Sequence, residues 1–354
     1  MSSTHQPSSS LALPREEAAD APLPTPMRFG LVDSFARPHS YLRVSVTDRC
    51  NFRCGYCMPV EGIVWRRREE LLTDDEIVSI IRLFVRHGVT KVRLTGGEPT
   101  VRPGLVELIG RISTIDGIES LGLTTNAYDL ERLASPLRDA GVQVINISID
   151  SLRRDRFLAI TRRDHFDDVM AGIRAALAAG YPSVKLNVVV MAGVNADEIL
   201  DFVELTREWP ITVRFIEFMP FKSNGWQKAE LYPYAAMVDD IQTRYEIEAE
   251  EVEPHAVART FRVSGHRGKI GFIASMTRSF CAGCNRLRLT ADGKFKPCLF
   301  SVPELDLRDA LRGGATEEEL VTRIRAALWN KQREHPPMEL LQQQEGRSMV
   351  EIGG

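Results

Sequence analysis

Short segments of alternating hydrophobic and polar residues and longer amphipathic segments follow one another between residues 40 and 220. The short segments predict strands at 41–47, 90–95, 119–124, 142–149, 183–190 and 211–217. The longer segments predict helices at 74–88, 104–115, 129–140, 166–179 and 195–208. Strands that alternate with helices are typical of a parallel sheet, and six such units are fewer than the eight of a complete barrel. We therefore predict an α/β fold built on a partial, laterally open (β/α)6 TIM-like barrel.

The polar positions of these strands fall on one face and the apolar positions on the other. Arg43, Arg93, Lys185 and Arg214 all occupy the polar face. If helices cover the apolar face, the polar face lines an interior, and a packed core does not tolerate such residues unpaired. The pattern favours a wet, positively charged cavity. An antiparallel sheet with one solvent-exposed face is the alternative, and the helix-length segments between the strands count against it.

The alternation ends near residue 220. Residues 228–250 predict helical or mixed structure, 258–275 predict short strands, and 315–330 predict a helix. Asp292-Gly293 marks the turn of a hairpin. We expect three parts: a disordered extension at 1–27, the barrel at 28–220, and a C-terminal α+β subdomain at 221–354.

Composition excludes two classes of protein. The 354 residues carry a net charge of −3, so no basic excess indicates nucleic-acid binding. No apolar run approaches the roughly 20 residues that span a bilayer. Residues 1–27 lack the apolar stretch of a secretory signal, and the expected location is the cytoplasm.

All six cysteines fall into two groups of three, Cys50/Cys54/Cys57 and Cys281/Cys284/Cys298, which we call the first and second triads. The first follows the first predicted strand directly, at the mouth where barrel active sites lie. Three thiolates can hold three irons of a [4Fe–4S] cluster and leave the fourth open to a small molecule. A redox or zinc motif is the alternative, although zinc needs a fourth ligand.

A glycine-rich run, Thr95-Gly96-Gly97-Glu98-Pro99, follows the second predicted strand. Glycines let the backbone approach a ligand closely, and their carbonyls can accept hydrogen bonds from an ammonium group. An ordinary turn between strand and helix is the alternative. The position of this run, one unit after the first triad, favours a ligand site.

In the second triad, Cys281 and Cys284 come before the first strand of the predicted hairpin, and Cys298 comes at the end of its second strand. Arg286 and Arg288 share one face of this hairpin. Two guanidinium groups beside a metal site suit phosphate or carboxylate recognition. The second triad favours a second [4Fe–4S] cluster with another open iron. Zinc bound with a further ligand such as His266, and a plain surface arginine pair, are the alternatives.

These motifs resemble the radical S-adenosylmethionine (SAM) superfamily. Cys-x3-Cys-x2-Cys, Thr-Gly-Gly-Glu-Pro, Cys-x2-Cys-x13-Cys and the terminal Ile352-Gly353-Gly354 together resemble the GTP 3′,8-cyclase family, the molybdenum cofactor biosynthesis protein A family. The similarity extends over residues 28–354.

The resemblance implies roles for residues of this sequence. Each triad would bind a [4Fe–4S] cluster, and the open iron of the second would hold guanine. SAM would contact Tyr56, Gly97, Ser148 and Met219. GTP would contact Arg43, Arg93, Thr124, Lys185, Arg286, Leu287 and Arg288. Arg286, Arg288, Gly353 and Gly354 would take part in catalysis.

The resemblance also implies a reaction. A 5′-deoxyadenosyl radical would abstract the ribose 3′ hydrogen of GTP, and C3′ would attack guanine C8 to give (8S)-3′,8-cyclo-7,8-dihydroguanosine 5′-triphosphate. An external electron donor, a downstream cyclic pyranopterin monophosphate synthase and a homodimer are further expectations. Another twin-cluster radical SAM enzyme and a non-catalytic electron-transfer module are the rival hypotheses.

Overall fold

The computed structural model describes residues 30–59 and 61–353. The predicted disordered extension at 1–27 and the terminal Gly354 lie outside the described residues. No helix among the described residues is long and apolar enough to cross a membrane.

Strands and helices alternate through the first part of the chain, as the sequence pattern predicts. The strands are β1 (Tyr41–Ser45), β2 (Lys91–Thr95), β3 (Ser120–Thr125), β4 (Val144–Ser148), β5 (Ser183–Val190) and β6 (Thr212–Glu217). The helices are α1 (Asp74–Arg86), α2 (Leu105–Ser113), α3 (Leu130–Asp139), α4 (Arg154–Thr161), α5 (Phe166–Ala178) and α6 (Ile199–Glu208). The strands pair in parallel and in chain order, which confirms the predicted fold class.

Helix α1 begins where the sequence predicts. The Thr73 hydroxyl accepts a hydrogen bond from the Glu76 backbone N–H at 3.2 Å, and the Glu76 carboxylate accepts one from the Thr73 N–H at 2.8 Å. This reciprocal pair satisfies two backbone donors that a helix start leaves unpaired. Helix α4 was not predicted, because only Phe157, Ile160 and Thr161 of its eight residues are buried, and so few apolar positions give a weak helical period.

The rest of the chain adds strands to the same sheet. Its elements are α7 (Tyr234–Gln242), β7 (Ile247–Ala249), β8 (Arg259–Val263), β9 (Lys269–Ile273), β10 (Arg286–Leu289), β11 (Lys294–Lys296), β12 (Leu305–Asp306), α8 (Leu307–Arg312), α9 (Glu317–Trp329), α10 (Met338–Gln343) and α11 (Met349–Ile352). The sheet order is β12-β11-β10-β1-β2-β3-β4-β5-β6-β9-β8-β7. β10 pairs in parallel with β1, and β9 pairs in parallel with β6. The C-terminal strands therefore extend both edges of the barrel sheet, and β7 and β12 are not hydrogen-bonded to each other.

The hydrophobic core lies between the apolar face of this sheet and the helices. Leu42, Val92, Leu123 and Ile145 are fully or almost fully buried there. Their neighbours along each strand point to the opposite side, into the barrel interior. The period-two pattern thus places the polar side chains of the strands inward.

Two helical glycines provide a matched stability test. A Cβ at Gly172 in α5 would overlap the carbonyl oxygen of Ala127, whereas a Cβ at Gly110 in α2 would meet no atom within 4 Å. We expect Gly172→Ala to lower the free energy of unfolding by about 1–3 kcal/mol, since a crowded core resists added volume. Gly110→Ala should raise it by up to about 1 kcal/mol, because alanine favours the helix. Chemical denaturation measures both, and equal effects would contradict the close packing of α5 on the turn before α3.

Candidate functional site

One cavity of about 650 Å³ runs along the polar face of the sheet, and all six cysteines line it. The first triad follows the carboxyl end of β1, and Cys281 and Cys284 precede the amino end of β10. Because β1 and β10 are parallel neighbours, the triads lie at opposite ends of the same two strands. β11 runs antiparallel to β10 and returns the chain to Cys298 beside the other two. A strand of four to five residues spans roughly 15 Å. The two triads are more than two hundred residues apart in the sequence but lie about this distance apart in space.

The loop of the first triad is held by its own backbone. The N–H groups of Cys57 and Met58 both donate to the Cys54 carbonyl at 3.0 Å, and the Phe52 N–H donates to the Cys50 sulfur at 3.4 Å. Burial raises the pKa of Cys50 to about 12 and also raises the pKa of Cys54 and Cys57. Buried thiols of this kind ionise only when a cationic group such as iron accepts the thiolate.

Gly96 and Gly97 are required by the approach of two chain segments. A Cβ at Gly96 would lie 2.7 Å from the Thr47 carbonyl oxygen, and a Cβ at Gly97 would lie 2.7 Å from that of Asp48. The Gly97 N–H donates to the Thr47 carbonyl at 2.8 Å. The glycine run therefore packs against the start of the triad loop while Gly97 also lines the cavity. The close packing of Gly96 and Gly97 thereby fixes the triad loop against the end of β2.

Glu98, in the same run, joins neighbouring loops. Its buried carboxylate accepts hydrogen bonds from the Thr100 and Asn126 N–H groups at 3.0 and 2.6 Å and from the Thr125 hydroxyl at 2.7 Å. Burial raises its pKa in spite of these donors. The side chain thus holds the loops after β2 and β3 together beside the first triad.

The residues predicted to contact SAM line one end of the cavity. Tyr56, Ser148 and Met219 are found there with Gly97. The Tyr56 hydroxyl donates to the Asp150 carboxylate at 2.8 Å, and the Val189 N–H donates to the other carboxylate oxygen at 2.8 Å. Burial raises the pKa of Asp150 to about 6. Asp150 was not among the predicted site residues, although it shares the face of Asn146 and Ser148.

The second triad has a cationic environment. The Arg37 guanidinium donates to the Cys281 carbonyl at 2.7 Å, and the Lys331 ammonium lies 3.9 Å from the Cys284 sulfur. Burial acts to raise the pKa of Cys284, but Arg286 and Lys331 outweigh it and lower that pKa to about 6. This thiolate forms more readily than those of the first triad.

The geometry of the triads bears on the kind of metal they hold. Among residues 30–59 and 61–353, no three His, Cys, Asp or Glu side chains are arranged to bind a single metal ion. Zinc requires that convergence. A [4Fe–4S] cluster does not, because each cysteine binds a different iron. Each triad offers three thiolates, the number that a [4Fe–4S] cluster with one open iron takes.

Cations from several strands meet between the triads. Arg43 of β1 pairs in register with Arg93 of β2 and with Arg288 of β10. Lys185 of β5 and Arg214 of β6 face the same cavity from the other side. Their spacing along parallel strands places the positive groups around one space.

Burial, and then the crowding of these cations, lowers their pKa values. Burial and then Arg286 and Arg43 lower the pKa of Arg288 to about 9, and burial and then Arg93 lower that of Arg214 to about 9. Burial and then Arg214 and Arg93 lower the pKa of Lys185 to about 8. The cavity is thus short of negative charge, and a polyanion would relieve the repulsion.

Several buried polar atoms of the cavity have no hydrogen-bond partner among the residues that the structure describes. They include the Nε atoms of Arg286 and Arg288, the Thr124 hydroxyl and the Asn146 side-chain oxygen. Buried polar groups are normally satisfied, so water or a ligand in the cavity would complete the hydrogen bonding of these atoms. Leu287 differs, because its side chain is fully buried in the core, and only its backbone could meet a ligand.

Tyr41 is a further cavity residue that the site prediction omitted. Its hydroxyl oxygen accepts a hydrogen bond from Arg93 Nε at 2.6 Å and also bonds Arg43. Burial acts to raise the Tyr41 pKa, but Arg93 and Arg43 outweigh it and lower it to about 7. Tyr41 shares the face of Arg43 in β1, so strand parity could have identified it.

The C-terminal tail reaches the barrel strands. Gly353 has a φ of 92°, and a Cβ there would lie 2.7 Å from both the Ser45 Cβ and the Thr95 Oγ1. Only glycine combines this backbone conformation with this contact. The Val350 N–H lies 3.4 Å from the Cys57 carbonyl that accepts its hydrogen bond. The described part of the tail therefore ends with Gly353 beside β1 and β2, and Gly354 lies outside the described residues.

Arg347 anchors this tail. Its guanidinium donates to both oxygens of Asp292 at 3.0 and 2.9 Å and to both oxygens of Glu304 at 2.9 and 2.8 Å. The Thr290 hydroxyl donates to Asp292 at 2.6 Å. Such two-pronged pairs fix geometry as well as charge. The tail is thus tied to the turn of the hairpin between the second triad's cysteines.

The fold and the cysteine loop define a radical SAM protein, and comparisons agree. Residues 44–206 match the Radical SAM superfamily, and residues 211–337 match Molybdenum Cofactor Synthesis C. A GTP 3′,8-cyclase of Moorella thermoacetica is 45% identical over 91% of this chain and 99% of its own length. The chain belongs to the GTP 3′,8-cyclase family of molybdenum cofactor biosynthesis.

A longer relative and a solved structure extend the comparison. Molybdenum cofactor biosynthesis protein 1 of Mus musculus is 48% identical over 91% of this chain, but the match covers 51% of that protein. The chain thus spans about half the length of that relative. SuiB of Streptococcus suis, solved with S-adenosylmethionine, superposes with a TM-score of 0.54 at 15% identity, over 81% of this chain and 68% of SuiB. That likeness supports the fold.

We expect Arg347→Ala to release the tail, because Asp292 and Glu304 would lose their shared cation. Hydrogen–deuterium exchange of residues 348–353 should accelerate at least about ten-fold, the loss expected when a charged hydrogen-bond pair is broken. Arg347→Lys should give a smaller change, because lysine keeps the charge without the two-pronged geometry. Arg323→Ala, on the exposed face of α9, is the control. Unchanged exchange in Arg347→Ala would show that the tail is held by other contacts.

Proposed function

We propose that this chain converts GTP to (8S)-3′,8-cyclo-7,8-dihydroguanosine 5′-triphosphate in the first step of molybdenum cofactor biosynthesis. The observation that carries the proposal is the position of the cationic cavity between the two triads. A nucleoside triphosphate supplies the negative charge that this cavity lacks, and its length suits a span of roughly 15 Å between the ends of a strand. The relative from Moorella thermoacetica, a GTP 3′,8-cyclase, supports the same substrate.

Different cations of the cavity would bind the two ends of the nucleotide. Arg43, Arg93 and Lys185 would bind the triphosphate, where guanidinium and ammonium groups offset its charge. Arg286 and Arg288 lie beside the second triad and would hold the guanine or protonate the cyclised product. Thr124 presents its unpaired hydroxyl to the same substrate.

The first triad and its neighbours would hold the cofactors. A [4Fe–4S] cluster with SAM, when bound, supplies the 5′-deoxyadenosyl radical that abstracts the ribose 3′ hydrogen, after which C3′ attacks C8. Tyr56, Gly97, Ser148 and Met219 would orient SAM beside the ribose. Asp150 holds the Tyr56 hydroxyl. Gly353 would close the site against water from the side of β1 and β2, and the double-glycine end, Gly353-Gly354, would take part in catalysis.

The proposal also includes an electron donor, a downstream enzyme, a homodimer and a location in the cell. An external donor would supply the electron, and a cyclic pyranopterin monophosphate synthase would use the product. We propose a homodimer in a reducing compartment, the cytoplasm, where thiolates escape oxidation. The barrel at 28–220 and the auxiliary-cluster part at 221–354 would act as two functional halves.

The direct test is anaerobic reconstitution followed by reduction and incubation with SAM and GTP. We expect about eight irons per chain, as two [4Fe–4S] clusters require, together with 5′-deoxyadenosine and the cyclised nucleotide. Formation of 5′-deoxyadenosine without a cyclised nucleotide would overturn the assignment of GTP. Zinc in place of iron would favour a non-catalytic module.

Arg288→Ala should weaken GTP binding about ten-fold or more, since a hydrogen bond to a charged group contributes roughly 1.5–3 kcal/mol. Iron content should stay unchanged, because the cysteines remain. Arg323→Ala, which removes a positive charge on α9, should bind GTP as the parent does. Equal GTP affinity in Arg288→Ala and in the parent, measured by calorimetry, would refute the contact.

Lys185 should make GTP binding depend on pH. Its pKa is lowered to about 8 in the ligand-free protein, and a bound triphosphate would raise it. Above about pH 8 the free lysine is neutral, so binding must take up a proton and affinity should fall by up to about ten-fold per pH unit. Calorimetry in buffers of different ionisation enthalpy measures this uptake.

The control for this pH dependence is Lys185→Arg, which stays charged and should flatten the profile. Tyr41, with its pKa lowered to about 7, would also take up a proton on binding. Both measurements should therefore be made in a Tyr41→Phe background. A profile that is steep in Lys185→Arg as well would assign the dependence to another group.

A further inference from the structure

We propose that the outer surface of the first triad is the docking site for an acidic one-electron carrier protein. We call this the triad surface and define it by Arg49, Arg53, Trp65, Arg162 and Arg163. The inference rests on the proposed function to the extent that radical formation needs one electron at the first triad. None of these five residues lines the substrate cavity, so a partner here would leave substrate entry free.

The triad surface lies directly over the cysteine loop. The Arg53 guanidinium donates to the Cys50 carbonyl at 2.6 Å. The N–H groups of Arg53 and Gly55 donate to the last residues of α4, at 2.9 and 3.3 Å. The chain continues from α4 into Arg162 and Arg163, and Arg162 Nη2 lies 3.5 Å from the position of a Cβ at Gly55. A protein bound here would be close to the first triad, as electron transfer demands.

The arginines of the triad surface form no ion pair in the part of the chain that the structure describes. Among the residues that the structure describes, no carboxylate lies within 4.0 Å of the guanidinium groups of Arg49, Arg53, Arg162 and Arg163. By contrast, Arg154 and Arg156 of the adjacent α4 each pair with two carboxylates. Four positive charges thus gather in a chain of net charge −3. Such a local field attracts an acidic partner and speeds its encounter.

The triad surface includes one aromatic residue, and an exposed apolar residue lies next to it in the chain. The Trp65 ring lies 6.0 Å from the Arg49 guanidinium and 5.4 Å from that of Arg53. Val64, beside it, is 94% exposed. Aromatic residues and arginine are enriched at protein interfaces, and a small patch of this composition suits a transient partner.

An electron carrier explains this combination better than a nucleic acid. A nucleic-acid surface would favour an overall basic chain and a stripe of contacts along the backbone, whereas this chain is acidic overall. The step itself is balanced: the reduced carrier loses one electron, the cluster of the first triad gains it, and no bond forms or breaks.

The test uses the full, cluster-loaded protein and an acidic flavodoxin as the probe. The variant is Arg49→Gln/Arg162→Gln/Arg163→Gln, which leaves Arg53 and its contact with Cys50 unchanged. We expect flavodoxin affinity and the rate of cluster reduction to fall about ten-fold at low ionic strength, with a weaker salt dependence. Reduction by dithionite, which needs no docking, should be unchanged.

The matched control is Arg132→Gln/Arg174→Gln/Arg323→Gln, three exposed arginines on α3, α5 and α9. It removes the same total charge away from the triad surface. Equal losses in the two triple variants would overturn the proposal, because the effect would then follow net charge. Parent-like reduction in the first triple variant would overturn it as well.

A second measurement needs no substitution. Hydrogen exchange of the parent protein with flavodoxin bound should show protection at 49–53 and 161–165, and protection elsewhere would contradict the docking site. Tighter binding of duplex DNA than of flavodoxin would also overturn it. Failure of the dithionite-reduced protein to cyclise GTP would refute the proposed function, while flavodoxin binding would still decide this inference.

Discussion

The site depends on one constraint, the hydrogen bonding of β1 to parallel strands on both sides. β2 brings Arg93 to one side of Arg43, and β10 brings Arg288 to the other. The first triad follows the carboxyl end of β1, whereas Cys281 and Cys284 precede the amino end of β10. Parallel pairing therefore fixes the triads at opposite ends of one polar face and leaves a space the length of a strand between them.

The cations that fill this space oppose one another in the absence of a ligand. Burial and mutual repulsion lower the pKa of Arg43, Arg214, Arg288 and Lys185. Tyr41 and Asn187 offset part of this repulsion, since each accepts hydrogen bonds from guanidinium groups. Donors without a partner in the described part of the chain, such as Arg286 Nε and Arg288 Nε, require water or a ligand in the cavity. Affinity for a polyanion follows from the same arrangement that makes the empty cavity unfavourable.

Local patterns in the sequence predict much of this site. Strand parity alone places Arg43, Arg93, Lys185 and Arg214 inward, and it could also have identified Tyr41 and Asp150. The start of helix α1 at residue 74 and the Asp292-Gly293 turn were predicted from local patterns, and both are confirmed. Parity also gives Leu287 a core position, although the family resemblance implies a contact with GTP.

Long-range pairing could not be predicted in this way. Nothing in the local pattern of β9 or β10 specifies which edge of the barrel each strand joins, because register depends on partners far away in the sequence. The glycine run shows a related difficulty. Its residues suggest an approach to a ligand, yet the Thr47 and Asp48 carbonyls explain the absence of a Cβ at Gly96 and Gly97.

Asp292 connects the parts that these patterns leave separate. It lies in the turn of the β10–β11 hairpin, accepts a hydrogen bond from the Thr290 hydroxyl, and receives two from Arg347 at the start of the tail. The same hairpin carries Arg288 and leads to Cys298 of the second triad. The tail in turn presses Gly353 against Ser45 of β1 and Thr95 of β2. The Asp292–Arg347 pair therefore ties the hairpin turn to the tail at the end of the cavity that holds the first triad, and β10 leads from that turn to the second triad.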